Sequence, residues 1–219
     1  MNLKRIMGAS LAKQMRSPDQ HSCFGWVAQR IMSMGKGDDS IDAVKALIDS
    51  KYKLPQKPVI VELGPGAGYS LREMFDKIQP SKFYAIEISS AFREIIETDK
   101  EFSSYIDSGV LSVHGDDAKK LVFIPDNSVD VIFAFNVIYF LDPFEDYLKE
   151  MRRILKPGGV LSFGVKDIAK HMENTIYINT DWNVCLDQMK SAGFVDVKQG
   201  EIRLEDPLSY IPIYGMKPN

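Results

Sequence analysis

From Pro58 onward the apolar positions alternate between short β-branched runs and stripes at helical spacing. Val59-Ile60-Val61-Glu62-Leu63 ends at a glycine and reads as a buried strand. Leu71, Met74, Phe75 and Ile78 predict a helix over 70–78. A second strand is expected over 83–88, and a second helix over 90–100 with Phe92, Ile95 and Ile96 inward. Strands over 110–114 and 128–135 follow. Tyr147, Leu148, Met151, Ile154 and Leu155 then stripe a helix over 144–155, which Pro157-Gly158-Gly159 should stop. A fifth strand is expected over 160–165 and a helix over 182–192, ended by Gly193. Two strand-like runs, 194–204 and 210–216, close the chain around a turn at Asp206-Pro207. The alternation predicts an α/β fold, a largely parallel sheet with helices on both faces. The last two strands have no helix between them and should pair antiparallel.

Before Pro58 the pattern is helical. Leu3, Ile6, Met7, Leu11 and Met15 recur at helical spacing until Pro18. A second patch runs from Phe24 and Trp26 to Met34. Ile41, Val44, Leu47 and Ile48 predict a third helix capped by Asp39 or Ser40. Residues 1–57 are therefore expected to form a helical cap or lid, and residues 58–219 the main domain.

Composition narrows the function. The 219 residues are 45% hydrophobic and 26% charged, an ordinary globular mix. With 27 basic and 30 acidic residues the formal net charge is −3, which argues against a nucleic-acid partner. Cys23 and Cys185 are too few for a disulfide framework or a zinc site, so no metal is expected. No apolar run is long enough for a membrane span, and no secretion signal is visible. A cytoplasmic protein is the expectation. The basic, acid-free start, with Lys4, Arg5, Lys13 and Arg16, reads first as an amphipathic helix packed on the domain, and a mitochondrial transit segment would look similar.

The candidate chemistry sits at strand ends. Gly64-Pro65-Gly66-Ala67-Gly68 joins a strand to a helix, where backbone amides approach a ligand closely. The third glycine comes one position earlier than in a dinucleotide fingerprint, which disfavours a pyrophosphate. Glu87 ends the second strand, where a carboxylate accepts both hydroxyls of a ribose. Gly115-Asp116-Asp117-Ala118 follows the third strand, and an aspartate with a following N–H there suits adenine.

In combination these residues resemble the class I S-adenosylmethionine-dependent methyltransferases. Val-Glu-Leu-Gly-Pro-Gly-Ala-Gly-Tyr-Ser (61–70) is similar to the family's first motif, Ala-Ile-Glu-Ile-Ser (85–89) to its acidic ribose site, and Gly-Asp-Asp-Ala-Lys-Lys-Leu (115–121) to its adenine loop. Residues 126–137, Arg-Arg-Ile-Leu-Lys-Pro-Gly-Gly (152–159) and Ser-Ala-Gly-Phe-Val-Asp-Val (191–197) resemble the later landmarks. The resemblance implies a Rossmann-like three-layer sandwich whose seven-stranded sheet has one antiparallel strand near an edge. It implies S-adenosyl-L-methionine as cofactor and S-adenosyl-L-homocysteine as product. Gly64, Gly66 and Gly68, with the intervening Pro65, would face the methionine part, and Glu62 would support its amino group. Glu87 would hold the ribose, with Ile88 against the adenine face. Asp117 would bind the adenine amine, with Asp116 as the runner-up, and Ala118 would offer its N–H. Asn136 would close the site.

The expected reaction is methyl transfer to a small-molecule acceptor by in-line displacement, in which alignment does most of the work. No catalytic residue stands out. Tyr139, His171 and Trp26 are candidates for the acceptor pocket, and His21 for a lid. His114 is expected to be a satisfied core histidine. Two other readings remain at this point, an NAD-dependent oxidoreductase and a cofactor-binding partner subunit without catalysis. The sequence leaves the oligomeric state and the acceptor open.

Overall fold

The computed structural model describes residues 37–166, 177–205 and 208–219. Helix α1 (Asp38–Ile48) leads into β1 (Val59–Leu63), α2 (Tyr69–Lys77), β2 (Lys82–Ile86), α3 (Ser90–Thr98), α4 (Lys100–Asp107), β3 (Leu111–His114) and β4 (Val129–Phe135). A 3-10 turn (Ile138–Phe140), α5 (Phe144–Ile154), β5 (Leu155–Lys166), α6 (Trp182–Ser191), β6 (Val195–Gln199) and β7 (Tyr210–Met216) follow. The strands form one sheet in the order β3-β2-β1-β4-β5-β7-β6. Strand β1 is parallel to β2 and β4, whereas β7 is antiparallel to both β5 and β6. The architecture is the Rossmann-like, seven-stranded sandwich that the sequence led us to expect.

Strand alternation divides the core between the two faces. Ile60, Phe83, Val131 and Phe133 pack beneath α1 and α2, against Val44, Leu47, Leu71 and Met74. Val61, Ile132, Ala134, Leu161 and Phe163 face the other way, onto Phe144, Leu148 and Met151 of α5 and Met189 of α6. Helix α1 thus shares a core with the sheet. It is tied there by Asp42, which accepts hydrogen bonds from Arg203 (2.7 and 2.9 Å) and from the Tyr210 hydroxyl (2.7 Å).

Several local expectations are corrected. The cap of α1 is Gly37, left-handed at φ 69°, while Asp39 turns its carboxylate toward Lys166 at 2.5 Å. The single helix expected over 90–100 is two helices, broken at Asp99, which ends α3 and caps α4 by accepting the Glu101 N–H at 2.9 Å. Helix α4 was hidden because one residue, Phe102, carries its burial, and that residue packs under Gly68 and against Phe75. Helix α5 stops at Ile154, before the proline, and β5 already runs through Pro157-Gly158-Gly159 with a register shift opposite β4. Strand β6 is shorter than expected, with only an isolated bridge from Arg203 to Tyr210 beyond it. The expected helices before Gly37 and the turn at 206–207 lie outside the described residues.

Candidate active site

The carboxyl ends of β1, β2, β3 and β4 meet at one cleft, as open α/β sheets arrange their ligands. Gly64, Gly66, Glu87, Ile88, Asp116, Asp117, Ala118 and Asn136 all line it. An adjoining cleft on the other side of the glycine loop is lined by Glu62, Pro65, Asp39 and Lys166, and shares Gly64, Gly66 and Asn136 with the first.

The glycine loop needs its glycines for different reasons. Gly64 has φ 64°, its N–H donates to the Ile86 carbonyl at 2.8 Å, and a Cβ there would lie 2.6 Å from Val137 Cγ2. Gly66 has φ 55°, and a Cβ there would meet nothing within 4 Å, so its backbone faces open cleft. Gly68 lines neither cleft. It caps α2 at φ 81°, donates its N–H to the Pro65 carbonyl at 2.9 Å, and its missing Cβ leaves room for Phe102.

Glu87 is nine-tenths hidden and organises the loop. One carboxylate oxygen accepts the Gly66 N–H at 3.1 Å and the other the Ser89 N–H at 2.8 Å. Burial nevertheless pushes its pKa above the usual carboxylate range, the two amide hydrogen bonds working against the shift. Arg93, which the sequence reading missed, donates to the carbonyls of Glu87 (2.7 Å) and Ile88 (3.0 Å) and fixes the exit of β2. Ile88 is 41% exposed, an apolar side chain presented to the cleft.

On the loop after β3, Asp117 spends one oxygen on the Lys119 N–H at 3.0 Å and so holds its own turn. Asp116 points back toward His114, with 3.9 Å between Oδ2 and Nδ1. His114 is not the satisfied core histidine expected. Its ring stacks on Phe123 with centroids 4.0 Å apart, and Nε2 is buried with no hydrogen-bond partner among the described residues. Burial lowers its pKa, opposed by the Asp116 charge.

Glu62 is a strongly perturbed acid of the site. It is 1% exposed, accepts the Ser70 hydroxyl at Oε1, and leaves Oε2 buried without a partner among the described residues. Burial pushes its carboxyl up to about 8, the Ser70 hydrogen bond opposing and the Glu87 charge adding to the shift. The unfolded chain loses this proton near 4.5 while the folded chain keeps it to about 8, so the stability Glu62 contributes declines as pH rises through that window. The limiting slope for one proton is about 1.4 kcal/mol per pH unit. Glu62→Gln should therefore match the wild type in melting temperature near the unfolded pKa and exceed it increasingly toward alkaline pH. A melting difference that stays flat from acid to alkaline buffer would show that Glu62 is not held neutral.

The acceptor side is also corrected. Tyr139, a candidate pocket residue, is 2% exposed, and its hydroxyl accepts the Lys166 N–H at 2.5 Å, closing the end of β5. Its neighbour Phe140 lines the cleft instead, with Val137, Leu141 and Phe92. Phase within the 3-10 turn decides which of the two rings points in. Lys166 and Asp39 were missed. The position of Lys166 at the carboxyl end of a strand was the available signal. Trp26, His171 and His21 lie outside the described residues.

The antiparallel β7 between β5 and β6 departs from the all-parallel order of the dinucleotide fold. That order, with the glycine loop and the acidic strand ends beside it, is the arrangement expected of the methyltransferase class. The sequence model of the family described as "Methyltransferase domain" matches residues 61–163. A dimethylglycine N-methyltransferase from Parasynechococcus marenigrum is 31% identical over 55% of this chain and 41% of its own length. A highly reducing polyketide synthase from Penicillium polonicum is 32% identical over 47% of this chain and 4% of its own length. The chain thus spans a minor part of the curated relatives it matches. The crystal structure of a SAM-dependent methyltransferase from Aquifex aeolicus superposes with a TM-score of 0.63 at 20% identity, covering 86% of this chain and 96% of that one. Residues 61–163 thus match a methyltransferase domain, and the chain shares the fold of SAM-dependent methyltransferases of known structure.

Proposed function

We propose that this protein transfers a methyl group from S-adenosyl-L-methionine to a small-molecule acceptor by in-line displacement. The observation that carries the reading is the convergence of Gly66, Glu87 and the Asp116–Ala118 loop on one cleft, beside the partnerless buried oxygen of Glu62. That oxygen fits an ammonium group, the open face of Gly66 fits a close backbone approach, and exposed Ile88 fits an adenine face. When bound, the cofactor supplies an electrophilic methyl group on a sulfonium, with a thioether as leaving group.

The chain's own residues bind, orient and dry the site. Glu62 takes the amino group, Glu87 accepts the ribose hydroxyls, Asp117 accepts the adenine amine and Ala118 donates its N–H. Asn136, left-handed at φ 59° with its N–H on the Gly164 carbonyl, closes the cleft at the end of β4. Val137, Phe140 and Leu141 exclude water next to it. The acidic net charge favours a small molecule over nucleic acid, and the similarity to an enzyme named for dimethylglycine agrees. Of the expected cap, the described helix α1 packs on the sheet. Among the described residues no helix is long and apolar enough to cross a membrane.

Isothermal titration with S-adenosyl-L-homocysteine should give saturable binding in the micromolar range, and NAD none. Methyl-labelled cofactor should then label a low-mass fraction of cell extract. Binding of NAD in preference to the homocysteine nucleoside would overturn the reading. Tight binding with no label transferred to any fraction would favour a non-catalytic partner subunit.

A further inference from the structure

One guanidinium stands between the exits of β2 and β3. The β2–β3 ladder ends at Ile86 opposite His114, and the Glu87 N–H then donates to the His114 carbonyl at 2.9 Å. Past that bond the two backbones lead on to Ile88 and to Asp116–Ala118, which line the same cleft. Arg93, in the first turn of α3, reaches back between them. Its Nη1 donates to the Glu87 carbonyl at 2.7 Å and to the Ile88 carbonyl at 3.0 Å. On its other side is Gly115, where a Cβ would lie 2.7 Å from Nη1, 2.8 Å from Cζ and 3.1 Å from Nη2. Distances so nearly equal mean that the glycine meets the face of the guanidinium plane. Gly115 is not left-handed, so this position needs a glycine for the close approach and not for its backbone angles. A planar, permanently charged fork suits the place, because it holds two carbonyls and still presents a flat face. The Arg93 charge also works against the burial that disfavours ionised Glu87.

We propose that Arg93 is a positioning residue for base selection, a spacer that fixes the β3 exit with Asp117 and Ala118 relative to the β2 exit with Ile88. The inference rests on the reading of the cleft as an adenosylmethionine site. Arg93 itself touches no part of the ligand. Adenine offers an amine to the Asp117 carboxylate and a ring nitrogen to the Ala118 N–H. Hypoxanthine presents a carbonyl oxygen and a ring N–H at the same edge, so acceptor faces acceptor and donor faces donor. That mismatch is costly only while the loop after β3 is held at a fixed distance from Ile88. A loop free to shift escapes it, and it loses the matched contacts to adenine as well.

The test compares S-adenosyl-L-homocysteine with S-inosyl-L-homocysteine, which carries hypoxanthine in place of adenine. In titration calorimetry the wild type should prefer the adenosine ligand by about tenfold or more, the range for one hydrogen bond to a charged group. Arg93→Ala should shrink that preference by about fivefold, mostly through weaker binding of the adenosine ligand. Gly115→Ala pushes the guanidinium aside, the far end of a flexible side chain, and should shrink it by a similar factor. In an Arg93→Ala background Gly115→Ala should change the preference by less than about twofold, because the group it displaces is gone. Arg93→Lys keeps a donor without the plane and should recover part of the loss. Should Arg93→Ala fail to fold, Gly115→Ala makes the same comparison alone. An undiminished preference in these variants, even with both ligands weakened, would overturn the assignment of Arg93 while leaving the nucleoside site standing. So would a Gly115→Ala effect that persists in full without Arg93. A wild type that binds both ligands alike, or neither, would remove the adenine reading and this inference together.

Discussion

Glu87→Ala should lose the homocysteine nucleoside by roughly a hundredfold or more, the largest binding effect expected from one substitution here. Two terms add. The carboxylate accepts both ribose hydroxyls in the proposed complex, and hydrogen bonds to a charged group are worth about 1.5–3 kcal/mol each. It also holds the Gly66 and Ser89 amides at 3.1 and 2.8 Å, so its removal unmakes the loop before any ligand arrives. The effect on stability should be smaller, because burial already disfavours the charged form of Glu87 and its removal relieves that cost. Glu87→Gln keeps one acceptor oxygen and should fall between the two. The measurement is calorimetric affinity alongside the melting temperature. Unchanged affinity in the alanine variant would remove the ribose assignment.

Gly64→Ala should have the largest effect on stability among the loop glycines. Its φ of 64° costs an L-residue about 1–2 kcal/mol. The new Cβ would also sit 2.6 Å from Val137 Cγ2, and forcing a packed side chain aside costs about 1–3 kcal/mol. Together these amount to about 2–5 kcal/mol, or a melting temperature lower by about 4–20 °C for a chain of this size. The two terms separate in a double mutant. Gly64→Ala in a Val137→Ala background should regain the steric share and keep the backbone share. Gly66→Ala gives the contrast, since a Cβ there meets nothing within 4 Å and only the backbone term remains. Equal melting temperatures for the two glycine variants would contradict the steric account.

The chemistry-bearing loops were legible because each is a local statement. Val59-Ile60-Val61-Glu62-Leu63 announces a buried strand by its β-branched run, and the glycines behind it announce left-handed backbone that other residues avoid. Glu87 and the Asp116-Asp117 pair fall at strand ends once the strands are placed. Element ends were less legible. The split of α3 from α4 turns on whether Asp99 continues one helix or caps the next, and Arg72 pairing with Asp99 and Glu101 from α2 helps settle it. Phe140 and Tyr139 are adjacent apolar rings, and composition does not say which one reaches the cleft.

By itself, the sequence determined the alternation of strand and helix, the antiparallel closing pair and the glycine turn with the acidic strand ends, because periodicity and allowed backbone angles act over a few residues. The tertiary structure alone decided that Asp39 reaches Lys166, that Asp42 ties α1 to Arg203 across 161 residues, and that Glu62 keeps a buried oxygen without a partner among the described residues. Those facts depend on which helix lies over which strand. Such packing is the summed outcome of many contacts distant in the chain, and no short stretch of residues encodes it.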